Sequence, residues 1–210
     1  MSFPLPRAGR PHEWPAFVYL VRHAETEWSA SGRHTSRTDV PLTPDGEHRA
    51  VRVGALLEAL RGKDAQPPVV LSSPRRRAIR TAILAGLRSP MILDELAEWD
   101  YGDCEGLTTP QIRESVPGWT VWTHPCPGGE TVDEVSARAD RVLARVRELG
   151  YMSDVVLVGH GHFSRVLTAR WIGQPATAGV HYALDAGGVT VLGEERGVPR
   201  LDHVNLAAQP

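Results

Sequence analysis

Three short stretches, far apart in the chain, carry residue types suited to handling an oxyanion. They are Arg22-His23, the arginines Arg75, Arg76 and Arg77 after Ser72-Ser73-Pro74, and His160-Gly161-His162. A guanidinium presents a rigid fork of donors to phosphate or carboxylate, and an imidazole beside it can add a hydrogen bond. Either dipeptide alone carries little weight, because a lone histidine at a strand end is more often a structural hydrogen-bonder. The case rests on three such sets at once, each placed directly after a run of apolar residues.

Those runs are the elements that must position the chemistry. Phe17–Val21 (FVYLV), Val69–Leu71 and Asp154–Val158 (DVVLV) read as short buried strands. Between them lie helical patterns. Thr43-Pro44 supplies an N-cap with proline at the first helical position, and Ala50, Val53, Leu56, Leu57 and Leu60 continue at helical spacing. Ser72-Ser73-Pro74 opens a second helix. Thr131 and Glu134 form a capping box for a third, whose stripe runs from Val132 to Leu149. A fourth is predicted over Phe163–Ile172, and closing strands over Gly188–Gly193 and Pro199–Val204. Strands alternating with helices predict an α/β fold of three layers, α/β/α, around a mostly parallel sheet. In such a sheet ligands bind beyond the carboxyl ends of the strands, so all three residue sets should converge on one cationic crevice. The segment 91–130 is broken by Pro110, Pro117, Pro125 and Pro127 and reads as an irregular insertion over that crevice, with one short helix from Thr109-Pro110. Residues 1–16 hold four prolines and no apolar core; they read as a flexible arm before a single domain over 17–210, not as a signal peptide.

Composition removes several function classes. Twenty-three basic against 25 acidic residues argues against coating nucleic acid or an anionic membrane. No stretch approaches the roughly 20 apolar residues of a membrane span. Cys104 and Cys126 form no CxxC pair, and a reducing, cytoplasmic location is the simplest reading. Lys63, the only lysine, is followed by Asp64, which excludes a P-loop nucleotidase. A metal site built from His23, Glu25, His160 and His162 lacks a recognised ligand spacing, and Arg22 and Arg77 would repel the cation. No metal and no cofactor are expected.

Taken together, LVRHAETEWSASGRHTSRTDVPLT, SSPRRRAIRTA, ELAEWDYGDCEG and VGHGHFSRVL resemble the motifs of the histidine phosphatase superfamily, phosphoglycerate mutase-like branch, in the family's order. The resemblance spans about Phe17 to Trp171. The string LAEWDYGDCEGLTTPQIRES and the following TVWTHPCPGGE are most similar to actinobacterial acid phosphatases that have often been called phosphoglycerate mutases, and more distantly to fungal sugar-bisphosphate phosphatases.

The resemblance implies roles. His23 matches the nucleophile that becomes a phosphohistidine, and Arg22 the first phosphate-clamping arginine. Arg77, directly before the alanine, matches the second; Arg75 sits where the family usually carries an apolar residue. His160 matches the second histidine, a donor to the transferring phosphoryl group. Glu98 matches the general acid, which residue types alone could not have chosen among Glu95, Glu98, Asp100, Asp103 and Glu105. Ser29 stands where many relatives place an asparagine near the phosphate. Thr35 and Ser36 lie in the loop that usually adds a phosphate contact, ordered by Arg33, and Gly161 could donate its backbone N–H. His162 could meet the substrate or pack. Trp99 reads as packing, and Trp122, His124 and Cys126 as a specificity wall. The implied activity is a metal-independent phosphomonoester hydrolase, an acid phosphatase acting on a small phosphorylated metabolite. The alternative is a cofactor-dependent phosphoglycerate mutase, which would need more cations for the substrate carboxylate than the single Arg113 found between Gly106 and Glu130. A catalytically dead binding module is disfavoured because every residue of the mechanism is present. The closing strands offer an edge at which a homodimer could form.

Overall fold

A computed structural model describes residues 17–150 and 153–208. The arm expected over 1–16 lies outside the described residues. Six strands form one sheet: β1 (Val18–Arg22), β2 (Val69–Ser72), β3 (Met91–Ile92), β4 (Val155–Gly159), β5 (Val189–Glu195) and β6 (Val198–Leu206). Their spatial order is β3-β2-β4-β1-β5-β6. The first four in that order run parallel, β5 is antiparallel to β1, and β6 is antiparallel to β5. The mostly parallel sheet expected from the alternating pattern is thus present.

The strands are apolar on both faces because both faces are covered. Tyr19 and Val21 of β1, with Val156 and Val158 of β4, pack on Val53 and Leu57 of α2 (Pro44–Arg61) and on Ala78 and Ala82 of α3 (Arg76–Leu84). Their alternating partners Val18, Leu20, Val155 and Leu157 face the other way. They meet Val135, Ala139, Val142 and Val146 of α5 (Val132–Gly150) and Phe163, Val166 and Leu167 of α6 (Gly161–Trp171). The helix starts follow the sequence signals: Gly46 N–H donates to the Thr43 hydroxyl at 2.9 Å, and Thr131 and Glu134 exchange their capping bonds. Two shorter helices, α1 (Glu27–Ala30) and α4 (Thr109–Ser115), complete the set.

The register carries the functional consequence. Arg22 pairs with Gly159, and Ser72 pairs with Val158. His23 N–H then donates to the Gly159 carbonyl at 2.8 Å, and Ser73 N–H to the Val158 carbonyl at 2.9 Å. The ends of β1, β2 and β4 are therefore level, and the residues that follow each strand emerge side by side.

Two elements differ from the sequence pattern. The insertion is not wholly irregular, since Met91–Ile92 adds a strand to the sheet edge through β2. Two half-exposed residues carry no periodic signal, so this strand is visible only through its pairing. The closing strands also run longer than Gly188–Gly193 and Pro199–Val204. They meet in a two-residue turn, with Arg196 at φ 53° and Gly197 at φ 83°, both in the left-handed region that tight hairpins require. Pro199 lies on the outermost strand, where a missing donor is tolerated.

The segment 100–105 is pressed against 127–130. Gly102 has φ 46°, and a Cβ there would lie 2.2 Å from the Pro127 carbonyl oxygen and 2.3 Å from Gly129 N. Gly102→Ala combines backbone strain with a clash against main chain and is expected to cost about 3 kcal/mol. A thermal melt should shift down by roughly 10 °C; an unchanged Tm would show that this contact is not rigid.

Candidate active site

Beyond the level strand ends lies a cavity of about 190 Å³ lined by Arg22, His23, Ser29, Thr35, Glu98, Gly161 and His162, together with Arg33, His34, Tyr101, Arg165 and Leu184. Seven of the residues assigned to the site from the sequence thus reach one wall, with Arg33 beside them. Arg77 and His160 sit directly beneath, both fully buried. The His23 and His160 rings approach edge to face, with centroids 5.2 Å apart.

His23 is held in one tautomer. Its Nδ1 lies 2.8 Å from the Ala24 carbonyl oxygen, which can only accept, so the proton is on Nδ1 and Nε2 keeps its lone pair. Ala24 N–H in turn donates to the Thr81 hydroxyl at 3.0 Å, and that hydroxyl donates to the Arg77 carbonyl at 2.7 Å. Burial, then the charges of Arg77 and Arg22, push the His23 pKa well below its ordinary value, against the Ala24 bond. The ring is neutral at neutral pH.

His160 is oriented from the opposite nitrogen. Its Nε2 lies 2.7 Å from Ser73 Oγ, which already accepts from Arg75 N–H at 3.3 Å. Where the Ser73 hydroxyl donates to Nε2, the His160 proton is on Nδ1. That Nδ1 is buried and has no partner. Burial lowers the pKa of His160 well below the usual range, helped first by Arg77 and then by His23.

The two arginines show the same incompleteness. Arg77 donates through Nη1 to the Thr38 carbonyl at 2.8 Å, and through Nη2 to those of Thr35 and Ser36 at 3.1 and 3.2 Å. Arg22 donates through Nη1 to the Leu184 carbonyl at 2.7 Å. In both, Nε is buried without a partner. Gly161 lets the Arg22 guanidinium lie flat against the start of α6, since a Cβ there would be 3.3 Å from Cζ and Nε. Glu98 is 7% exposed. Its carboxylate accepts from Trp99 and Phe163 N–H at 2.8 Å and from His162 N–H at 3.0 Å, so the α6 N-terminus fixes its position.

Other sequence candidates are placed differently. The Ser29 hydroxyl lines the cavity but is engaged with Thr26, accepting from its N–H and donating to its carbonyl. Thr35 lines it too, with its hydroxyl on the Arg33 carbonyl. Ser36 does not line it, because its hydroxyl donates to Glu105. Trp122 packs behind His162 at 5.3 Å and against Trp99 at 5.5 Å. His124 and Cys126 border a separate pocket with Trp99 and Thr131. His162 Nδ1 is 2.6 Å from the Tyr101 hydroxyl, and its ring stacks on His34 at 5.9 Å. Tyr101 lies in the insertion expected to roof the crevice and lines the cavity, whereas His34, Arg165 and Leu184 were not singled out from the sequence. They arrive on loops or distant helix turns, and no local spacing marks them. Among the described residues, no group of three or more His, Cys, Asp or Glu side chains could hold a metal ion, and no helix is long and apolar enough to cross a membrane.

The level strand ends bring the paired histidines and the unpartnered guanidinium nitrogens to the carboxyl edge of an α/β sheet. The chain belongs to the histidine phosphatase superfamily (branch 1), whose family profile matches residues 18–207. It is 48% identical over 193 residues to an acid phosphatase of Mycobacterium tuberculosis, covering 92% of this chain and 94% of that protein. It is 35% identical over 183 residues to sedoheptulose 1,7-bisphosphatase of Saccharomyces cerevisiae, covering 73% and 66%. The solved structure of a Mycobacterium tuberculosis open reading frame superposes with a TM-score of 0.88 at 46% identity, covering 92% of this chain and 99% of that one.

Proposed function

We propose that this protein is a metal-independent phosphomonoester hydrolase of the acid phosphatase type, acting on a small phosphorylated metabolite through a phosphohistidine at His23. The observation that carries the reading is a set of three buried, unpartnered nitrogens, Arg22 Nε, Arg77 Nε and His160 Nδ1, around a neutral imidazole. Buried donors are almost always satisfied. Three such donors around one neutral imidazole suit the oxygens of an anion, and two guanidinium groups supply the positive charge that a metal provides elsewhere.

The proposed reaction runs in two steps. His23 Nε2 attacks phosphorus in line while the ester P–O bond breaks and Glu98 gives its proton to the departing oxygen. The Nδ1 proton stays on the ring, where the Ala24 carbonyl eases the charge that develops. Glu98, now a carboxylate, takes a proton from water; the water oxygen bonds to phosphorus, the P–N bond breaks, and neutral His23 returns with inorganic phosphate. The spread of charge over the equatorial oxygens falls on Arg22, Arg77 and His160. A cavity of about 190 Å³ that opens to solvent accommodates a phosphoryl group carried on a small metabolite.

Hydrolysis of p-nitrophenyl phosphate in excess chelator, with 3-phosphoglycerate run in parallel, tests the reading. Phosphate release is expected to be unchanged by the chelator and to be inhibited competitively by orthovanadate, without isomerisation of 3-phosphoglycerate. Isomerisation with little release would establish the mutase instead. Arg113, the cation that reading would call on, donates through Nε to the Trp119 carbonyl at 2.9 Å and is already engaged in holding the insertion.

A further inference from the structure

The guanidinium of Arg77 is aimed by a piece of main chain, and that main chain is held from its far side by one carboxylate. Glu105 accepts four hydrogen bonds from the turn at 36–38. Ser36 N–H lies 3.0 Å from Oε1 and 2.9 Å from Oε2, the Ser36 hydroxyl donates to Oε2, and Thr38 N–H donates to Oε1 at 3.0 Å. The carbonyls of the same turn point the other way. Those of Thr35, Ser36 and Thr38 take up both Nη groups of Arg77.

One peptide unit shows the arrangement plainly. The group joining Thr35 to Ser36 gives its N–H to the Glu105 carboxylate and its C=O to the Arg77 guanidinium. An anion and a cation thus lie at opposite ends of one peptide dipole, and each strengthens the bond to the other. A short ladder fixes where the turn begins. Arg33 bridges Thr108, His34 N–H donates to the Leu107 carbonyl at 2.9 Å, and Gly106 N–H donates to the His34 carbonyl at 2.8 Å. Burial acts to raise the Glu105 pKa, but the bonds from Ser36 and Thr38 outweigh it and hold the carboxyl below its ordinary value.

We propose that Glu105 is a positioning residue for phosphoryl binding: through the 35–38 turn it locks both Nη groups of Arg77 so that Nε is presented to the oxyanion. It touches neither substrate nor reacting atoms. The proposal rests on the reading of Arg77 as a phosphoryl clamp, and it explains why Ser36, which lies in the phosphate-contacting loop, spends its hydroxyl elsewhere.

The test is a double-mutant cycle on the full chain, read as the inhibition constant of orthovanadate and as kcat and KM for p-nitrophenyl phosphate. Glu105→Ala alone is expected to weaken vanadate about tenfold and to lower kcat, with Glu105→Gln intermediate because it keeps an acceptor oxygen. In an Arg77→Ala background the same Glu105→Ala change should alter the vanadate constant by less than about twofold, since its target is gone. Additive losses in the double variant would overturn the proposal, and so would a lowered melting temperature with unchanged vanadate affinity in Glu105→Ala. If Arg77→Ala itself binds vanadate normally, the phosphoryl-clamp reading fails first, which separates the two failures.

Discussion

His23→Ala is expected to lower kcat for p-nitrophenyl phosphate by at least about 10⁴-fold while leaving the fold intact, because removing a nucleophile removes the covalent pathway rather than one of several contacts. The fold should survive for local reasons. The ring makes one hydrogen bond, to its neighbour's carbonyl. Orthovanadate should still bind the variant, since the unpartnered nitrogens of Arg22, Arg77 and His160 are untouched. Rapid-quench labelling with radioactive substrate adds a second measurement: wild-type protein should carry a label that survives alkali and is released by acid, as a phosphoramidate does, and the variant should carry none. Activity in His23→Ala above about one per cent of wild type would remove the phosphohistidine from the mechanism.

The comparison between hydrolase and mutase turns on what surrounds the nucleophile, since both reactions begin alike. A mutase must hold its intermediate dry and return the phosphoryl group to the other hydroxyl. Here Glu98 sits in the cavity wall beside His23, held by three backbone N–H groups at the mouth of α6. In the proposed hydrolase, a carboxylate fixed there would activate a water against the phosphohistidine.

The parts of this site that were legible in the sequence are those attached to strand ends. Apolar runs ending abruptly in Arg22-His23, Ser72-Ser73 and Gly159-His160 gave both the parallel sheet and the convergence, because strand register carries the ends to one level. Glu98 was legible only through the family resemblance; five acidic residues crowd that stretch, and nothing in their spacing chooses one. Ser36 shows the limit from the other side. Its hydroxyl and its position in the loop fit a phosphate contact, yet the acceptor that claims it, Glu105, lies 69 residues away in the chain. Thr81, which fixes the Ala24 peptide and so the His23 tautomer, reads in the sequence as one more residue on a helix face. Contacts between loops are set by tertiary packing, which leaves no periodic trace. The insertion aromatics fail for a related reason, since Trp122 is apolar enough for core or platform and only its packing on Trp99 and His162 decides.

The second large effect expected is a steep loss of stability in mild acid. Burial holds His23, His160 and His162 well below the ordinary histidine range, and it brings His34 down to about 4 against a weaker opposing pull from Glu105. A depressed histidine pKa means that below about pH 6.5 the unfolded chain binds protons the folded chain refuses, so stability falls as pH drops toward the folded values. From the His34 value alone, the loss between pH 7 and pH 5 comes to about 2 kcal/mol. The other three rings, shifted the same way, add to it. Carboxylates do not explain a change in this window. Glu47, Glu105 and Glu134 are all lowered, so their contribution is present above the usual carboxylate range and is lost only at more acid pH. Thermal melts at pH 7 and pH 5 should therefore differ by roughly 10 °C or more. His34→Gln, which can keep a polar contact with the Thr109 hydroxyl that His34 Nε2 reaches at 3.2 Å, should flatten the slope by about one proton. A melting temperature constant across the window would mean the rings are solvated rather than buried, and would remove the reason for His23 to be neutral. The burial that keeps His23 neutral thus costs stability as the pH falls.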